Sequence, residues 1–339
     1  MSDAAKPVDA AAIAGAIEVL TRGGLVAVPT ETVYGLAADA DNASAVRAIF
    51  SAKGRPADHP VIVHIESEAA LDAWARDVRA MARLLATTFW PGPLTLVLAR
   101  SARAHDALTG GQETVGLRCP AHPWARALLT AWCAARADAA AALAAPSANA
   151  FGRISPTTAE HVHAELGERV DLILDGGACP VGIESTIVDL ATGAPRLLRP
   201  GAITRAQLEA TLGVAVPDAG VDAPRAPGSL ERHYAPRVPL ELVESRRLSA
   251  RINELRGEKL AVLAEASALL DWPAHLVLRL VAPATPREYA RRLYALLRQL
   301  DSSGATRIVI AWPPVGGDWE AVRDRLQRAA GHSEKHKVS

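Results

Sequence analysis

Short apolar runs separated by helix-length stretches occur in two successive series, and they leave this 339-residue chain little room outside an α/β fold. The first series reads LVAVP (25–29), PVIVHI (60–65), LTLVLA (94–99), TVGLR (114–118), ALAAP (142–146), DLILD (171–175) and STIVDL (185–190). Helical patterns lie between them. SAVRAIFSAK has Ser44 as its N-cap, PWARALLTAWCAA has proline in its first turn, and SPTTAEHVHAELG closes at Gly167. Hairpin-like returns near 185–199 add antiparallel pairs, so a mixed sheet is expected. From 214 to 239 the pattern lapses into a Pro/Gly-rich stretch that reads as a linker. LELV (240–243), KLAVLA (259–264), LVLRLV (276–281) and TRIVIAW (306–312) then resume it, with the amphipathic PREYARRLYALLRQLDSSG between the last two. The expected organisation is a larger α/β domain over 1–213, the linker over 214–239, a smaller Rossmann-like α/β domain over 240–331 and a disordered tail over 332–339. The smaller domain has no GxGxxG, so its fold alone implies no dinucleotide.

Charge narrows the function classes. Lys plus Arg and Asp plus Glu both number 37, which argues against a protein whose main task is to coat nucleic acid. The three cysteines, Cys119, Cys133 and Cys179, show no CxxC spacing and suggest neither a disulfide framework nor a structural metal. The N-terminal stretch lacks a signal-peptide pattern, and no apolar run approaches the ~20 residues that span a bilayer. A cytoplasmic location without membrane contact is the expectation.

Several clusters could carry chemistry. VPTETVYG places Thr30, Thr32 and Tyr34 at alternate positions, one face of an extended chain, either as solvated turn hydroxyls or as a lip over a polar ligand. In SAKGRPADHPVIVHI a helix ending near Ala52 would let Lys53 and Arg55 turn toward one anion; alone, the pair also reads as solvated charge. His64 sits inside an apolar run whose faces must point to core or ligand. APSANAFGRISPT carries Ser147 and Asn149 just after a strand, where exposed amides can cradle phosphate oxygens, although Asx and Ser turns look the same. Arg118 and Arg199 lie among apolar neighbours, and an unpaired buried charge is costly. With Lys53 and Arg55 they suggest a polyanion site, and Ser185 and Thr186 open a further strand nearby. GxxxxGK[ST], HExxH and GxSxG are all absent.

Taken in order, PTETVYGLAADA, KGRPADHPVIVHI, WPGPLTLVL, TVGLRCPAHP, APSANAFGRISPT, GIESTIVDL and LLRPGAIT resemble the YrdC-type L-threonylcarbamoyladenylate synthases over roughly residues 10–213. APGSLERHYAP, with Arg232, His233, Tyr234 and Pro236, resembles the segment that joins the catalytic domain to the extra domain of the family's long form. The resemblance implies a twisted mixed sheet with helices around a concave, positive cleft. It implies a nucleotidyltransferase that takes ATP, L-threonine and bicarbonate, with Mg2+ carried by ATP, to threonylcarbamoyl-AMP and pyrophosphate. A separate transferase would then modify tRNA, and the enzyme itself would make at most a weak tRNA contact.

By the same resemblance the K-x-R and S-x-N signature falls on Lys53, Arg55, Ser147 and Asn149. Threonine contacts fall on Thr32, His64, Arg118, Ala145 and Ser185. ATP contacts fall on Arg55, His59, Thr114, Ser147, Ser155, Arg199 and Tyr234, with Tyr234 closing over the nucleotide. The chain departs from the family at His59, where asparagine is common and where an imidazole's charge would vary near neutral pH. It departs again at Ser229 and Leu230, where a Met- and Tyr-containing version is more common. The expected chemistry needs no protein nucleophile, only positioning and cations. The rival reading from another class is a non-catalytic RNA-binding or regulatory module using the same basic cleft, against which the zero net charge counts.

Overall fold

The computed structural model describes residues 5–220, 222–228, 232–269, 273 and 275–331. Ser229, Leu230 and the 332–339 tail lie outside the described residues. The chain divides into two compact units, Met1–Phe151 with Ser155–Ser229, and Gly152–Ile154 with Leu230–Ser339. The division therefore falls inside the 214–239 stretch.

The first unit is built on a nine-stranded mixed sheet. In chain order its strands are β1 (Val26–Pro29), β2 (Tyr34–Asp39), β3 (Ile62–His64), β4 (Leu94–Ala99), β5 (Thr114–Arg118), β6 (Leu143–Ala144), β7 (Leu172–Ile173), β8 (Thr186–Asp189) and β9 (Arg196–Arg199). Their order across the sheet is β7-β1-β2-β6-β3-β5-β4-β8-β9. β3 with β5 and β4 with β8 run parallel, whereas β4 with β5 and β8 with β9 run antiparallel, the mixed pattern that the short returns imply.

Strand periodicity sorts the side chains. Val61, Val63, Ile65, Leu94, Leu96, Leu98, Val115, Leu117 and Val188 enter one large apolar core. Alternate residues must then take the other face, and these are Ile62 and His64, Thr95 and Val97, Thr114, Gly116 and Arg118, and Ile187. At β1 the alternation feeds a second core. Val26 and Val28 pack with Leu20 of helix Ala10–Thr21 and with Trp124, Leu128 and Trp132 of helix Pro123–Arg136.

Two sequence expectations are corrected here. PTETVYG does not stay extended: β1 and β2 form an antiparallel hairpin, and the chain reverses over Thr30–Val33. The Thr30 hydroxyl accepts from the backbone N–H of Thr32 and Val33 (both 3.2 Å) and fixes that turn. Tyr34 belongs to the returning strand, and its hydroxyl donates to the Gly177 carbonyl (2.8 Å). Second, helix Ala43–Lys53 is capped by Asn42, whose side chain accepts from Ser44 N and Ala45 N, so Ser44 already lies inside the first turn. The helix stops at Gly54, whose φ of 62° is the left-handed conformation that glycine adopts without strain.

The second unit is a four-stranded parallel sheet of β10 (Leu240–Val243), β11 (Leu260–Ala264), β12 (Leu276–Val281) and β13 (Arg307–Ala311), in the order β10-β13-β11-β12. Its core gathers Val243, Leu248, Ile252, Leu260, Val262 and Val309. Tyr234 is buried in this unit at a φ of 60°, its ring 5.6 Å from that of Tyr294 and 5.3 Å from the Arg325 guanidinium. The unit also takes in Gly152–Ile154: Ala235 N donates to the Gly152 carbonyl (2.9 Å), and Arg298 Nη2 donates to that of Ile154 (2.6 Å). Among the described residues, no helix is long and apolar enough to cross a membrane.

Candidate active site

On β3, β5, β4 and β8, the face turned away from the large core carries the polar residues. Strand register sets His64 of β3 opposite Arg118 of β5. Thr95 of β4 pairs with Ile187 of β8, and Ile187 with Arg199 of β9. His64, Arg118, Thr95, Ser185 and Arg199 are therefore collected from five strand segments, and each is buried.

Burial and the neighbouring Arg118 cation push the His64 imidazole down to about 3, so the ring is neutral. Its Nδ1 lies 3.4 Å from the Ile62 carbonyl, a contact only a protonated Nδ1 can use, which leaves Nε2 as an acceptor. Arg118 donates from Nη2 to Glu31 Oε1 (2.7 Å) and from Nε to the Gly92 carbonyl (3.4 Å), and its Nη1 makes no hydrogen bond with the described residues. Thr32 is reached through its neighbour. The Thr30 hydroxyl has one proton and donates it to the Val33 carbonyl (2.6 Å), so the 2.8 Å Thr30–Thr32 hydroxyl contact has Thr32 as donor. The Thr32 oxygen thereby keeps only lone pairs for a further partner.

On the other side of Arg118, the hydroxyls of Ser185 and Thr95 meet at 2.7 Å. Arg199 donates from Nε and Nη2 to the Ser185 carbonyl (3.0 and 2.9 Å), from Nη2 to its hydroxyl (3.1 Å) and from Nη1 to the Pro227 carbonyl (2.8 Å). Next along the same face is a narrow pocket lined by Ile62, Thr95, Val97, Thr114, Gly116 and Ile187 on the strands, with Pro60, Gln112, Arg225 and Pro227 around them. Gly116 forms part of its floor: a methyl group there would lie 3.5 Å from Thr95 Cγ2 and 3.6 Å from Ile62 Cγ1. Residues 217–220 and 222–227, read from composition as linker, are strapped to this unit. Leu197 N donates to the Pro217 carbonyl and Ala219 N to that of Leu197. Arg196 pairs with Asp222 (2.8 Å), and Gln112 exchanges two bonds with the Arg225 backbone.

The K-x-R and S-x-N residues form a second cluster. Lys53 is buried at the helix end, and its Nζ donates to the carbonyls of Ser147 and Asn149. Burial, then the nearby Arg55 cation, hold its amine well below the usual lysine range. Arg55 Nη2 donates to the Pro60 carbonyl (2.6 Å), on the wall of the pocket. His59 lies against the Phe151 ring, with centroids 5.5 Å apart. Its pKa is lowered, by burial and then by Arg55, so the expected charge variation near neutral pH moves to more acidic solution. Ala145 N donates to the Ile62 carbonyl (3.0 Å), which lays the strand leading to Ser147 beside β3. Ser155 donates to Glu184 Oε1 (2.6 Å), next in sequence to Ser185. Of the expected ATP contacts, Tyr234 alone belongs to the second unit.

Sequence reasoning missed Glu31, Thr95, Glu184 and the strap. Thr95 could have been found, since a hydroxyl inside LTLVLA must emerge on one strand face. Glu31 and Glu184 gave no comparable signal, because their partners lie 87 and 29 residues away. Nothing in the site resembles an activated thiol: burial pushes Cys119 up to about 11 and raises Cys179 further.

Comparison with known proteins adds the following. Residues 18–201 match the Sua5, YciO and YrdC family described as "Telomere recombination", and residues 203–331 match the family described as "Threonylcarbamoyl-AMP synthase, C-terminal domain". The chain is 40% identical over 326 residues to the threonylcarbamoyl-AMP synthase of Pyrococcus abyssi, covering 92% of each chain. It is 39% identical over 328 residues to that of Bacillus subtilis, covering 94% of this chain and 93% of the relative. The crystal structure of P. abyssi Sua5 complexed with L-threonine matches with a TM-score of 0.88 at 37% identity, over 96% of both chains.

Proposed function

The chain belongs to the two-domain threonylcarbamoyl-AMP synthase family, and from that premise we propose that it condenses L-threonine, bicarbonate and ATP into threonylcarbamoyl-AMP with release of pyrophosphate. The observation that carries this reading is the buried row of His64, Arg118, Ser185 and Arg199 beside the apolar pocket that ends at Thr114. An amino acid needs a cation for its carboxylate and acceptors for its amine. Arg118 Nη1 supplies the first, and the Thr32 oxygen and His64 Nε2 supply the second. The L-threonine complex of the P. abyssi relative supports the same class of ligand.

In the proposed reaction the threonine ammonium gives up one proton, and bicarbonate takes up one as it loses water and becomes CO2. The neutral amine adds to the CO2 carbon, shedding a second proton to solvent and leaving a carbamate. A carbamate oxygen then attacks the α-phosphorus of ATP, a P–O bond forms, and the bond to the β-phosphate oxygen breaks as pyrophosphate leaves. No protein atom becomes bonded to the substrate. The residues' part is to align the carbamate with the phosphorus and to offset charge on the phosphates, a task suited to Arg199, Arg55 and the loop amides near Ser147. Mg2+ enters with ATP as part of that substrate. The mixed anhydride produced is an activated acyl donor, so a separate transferase acting on tRNA is its expected consumer, and a cytoplasmic setting follows from the substrates.

The direct test is mass spectrometry of the protein incubated with ATP, Mg2+, bicarbonate and threonine, with pyrophosphate release followed in parallel. A threonylcarbamoyl-AMP peak that needs both threonine and bicarbonate is expected. Pyrophosphate release with another amino acid and none with threonine would overturn the substrate assignment.

A further inference from the structure

Glu31 lies in the β1–β2 turn and is 6% exposed, yet it is a carboxylate. Its Oε1 accepts from Arg118 Nη2 (2.7 Å), its Oε2 from Ala121 N (3.0 Å), and its own carbonyl from Val181 N (2.8 Å). The Glu31 and Arg118 side chains are 7% and 5% exposed. A buried ion pair is a poor device for stability alone, because desolvating two charges offsets most of their attraction. What the pair does fix is direction. The other protein bond to the guanidinium, from Nε to Gly92, is long at 3.4 Å, so Glu31 sets the plane in which Nη1 points.

We infer that Glu31 is a positioning residue for amino-acid recognition: it holds Arg118 so that Nη1 faces the substrate carboxylate. The inference rests on the reading of Arg118 as the carboxylate-binding residue. With Glu31 in place the pair carries no net charge, so recognition of the carboxylate depends on geometry more than on long-range attraction. Charge and geometry then make opposite predictions. Removing the Glu31 charge would tighten binding of an anionic group if attraction dominated, and would weaken it if orientation dominated.

The test is L-threonine affinity by calorimetry, together with the KM for threonine and for ATP, on the full chain and three variants whose melting is also recorded. Glu31→Ala is expected to weaken threonine ~10- to 100-fold, as losses of a second partner that orients a ligand-binding group do, with the KM for ATP within about threefold of wild type. Glu31→Gln keeps the length and one acceptor oxygen for Arg118 while its amide NH2 faces the Ala121 N–H, and is expected to recover part of the affinity that Glu31→Ala loses. Glu31→Asp, one methylene short of Arg118, is expected to fall below Glu31→Gln. Should Glu31→Ala not fold, the Asp-versus-Gln contrast decides alone, and equal affinities overturn the inference. Tighter threonine binding in Glu31→Gln and Glu31→Ala, or equal losses for threonine and ATP, also overturn it. Wild-type protein that binds no threonine would instead sink the functional reading itself, so the two failures are told apart.

Discussion

Lys53 has a structural tie that its motif does not announce. The motif marks it as a cation for phosphate, yet its amine is tied to two backbone carbonyls, those of Ser147 and Asn149. Lys53→Ala is expected to lower turnover by ~10²–10³, the range for losing one preorganised polar group. It should also destabilise the fold by about 1–3 kcal/mol for each carbonyl left without a donor. Turnover and melting measured together check this, and a turnover loss with no change in melting would mean that the ties to the loop are incidental. His64 offers a test by pH. Its folded pKa of about 3 lies below the ~6.5 of an exposed imidazole, so between those values the unfolded chain binds more protons. Its contribution is complete above about pH 6.5 and is lost progressively as pH falls toward 3. Relative to His64→Gln, wild-type protein should lose stability across that window; parallel melting curves would contradict the burial argument.

At the scale of the element, legibility followed periodicity. VIVHI and TVGLR were readable as strands because β-branched and apolar residues alternate with others, and the faces came out as that alternation requires. YGLAADA was not, although it forms β2, because every residue of Tyr34–Asp39 is buried and small residues give no period to read. Glu31 was invisible for a related reason, since a carboxylate in PTETV reads as solvent-facing until the arginine 87 residues on is seen beside it. β5 carries the prediction at this scale. A methyl at Gly116 would meet its neighbours at ordinary contact distances and project into the pocket. Gly116→Ala should therefore fold normally, raise the KM for ATP by about tenfold, the worth of one methyl-sized misfit in an apolar site, and leave the KM for threonine unchanged. Steady-state kinetics with each substrate varied in turn would expose the opposite pattern.

For the molecule as a whole, the two-unit organisation was readable from the lapse in pattern, but the nature of the lapse was not. Proline and glycine say only that residues 214–239 form no regular element. They cannot say that Arg196, Arg199 and Gln112 hold the first part of that stretch along the pocket. Gln112→Ala removes both bonds to Arg225 and should loosen the strap without disturbing the sheet. The expected result is faster proteolysis within 217–228 and a several-fold higher KM for ATP, with kcat for saturating substrates close to wild type. Unchanged cleavage and KM would show that the remaining bonds suffice.

The order in which the first sheet is threaded has a consequence for how the chain is made. β1 emerges early, but its outer neighbour β7 lies some 146 residues later, and β4 waits for β8 across about 90. Until residue 173 has left the ribosome for β1, and residue 189 for β4, each strand presents an open hydrogen-bonding edge backed by an apolar face. So non-local a sheet closes slowly, because the entropy of long loops must be overcome before any pairing is rewarded. Synthesis in a heterologous host should therefore favour slow induction and abundant chaperones, and nascent chains cut short before β8 are the species most prone to aggregate.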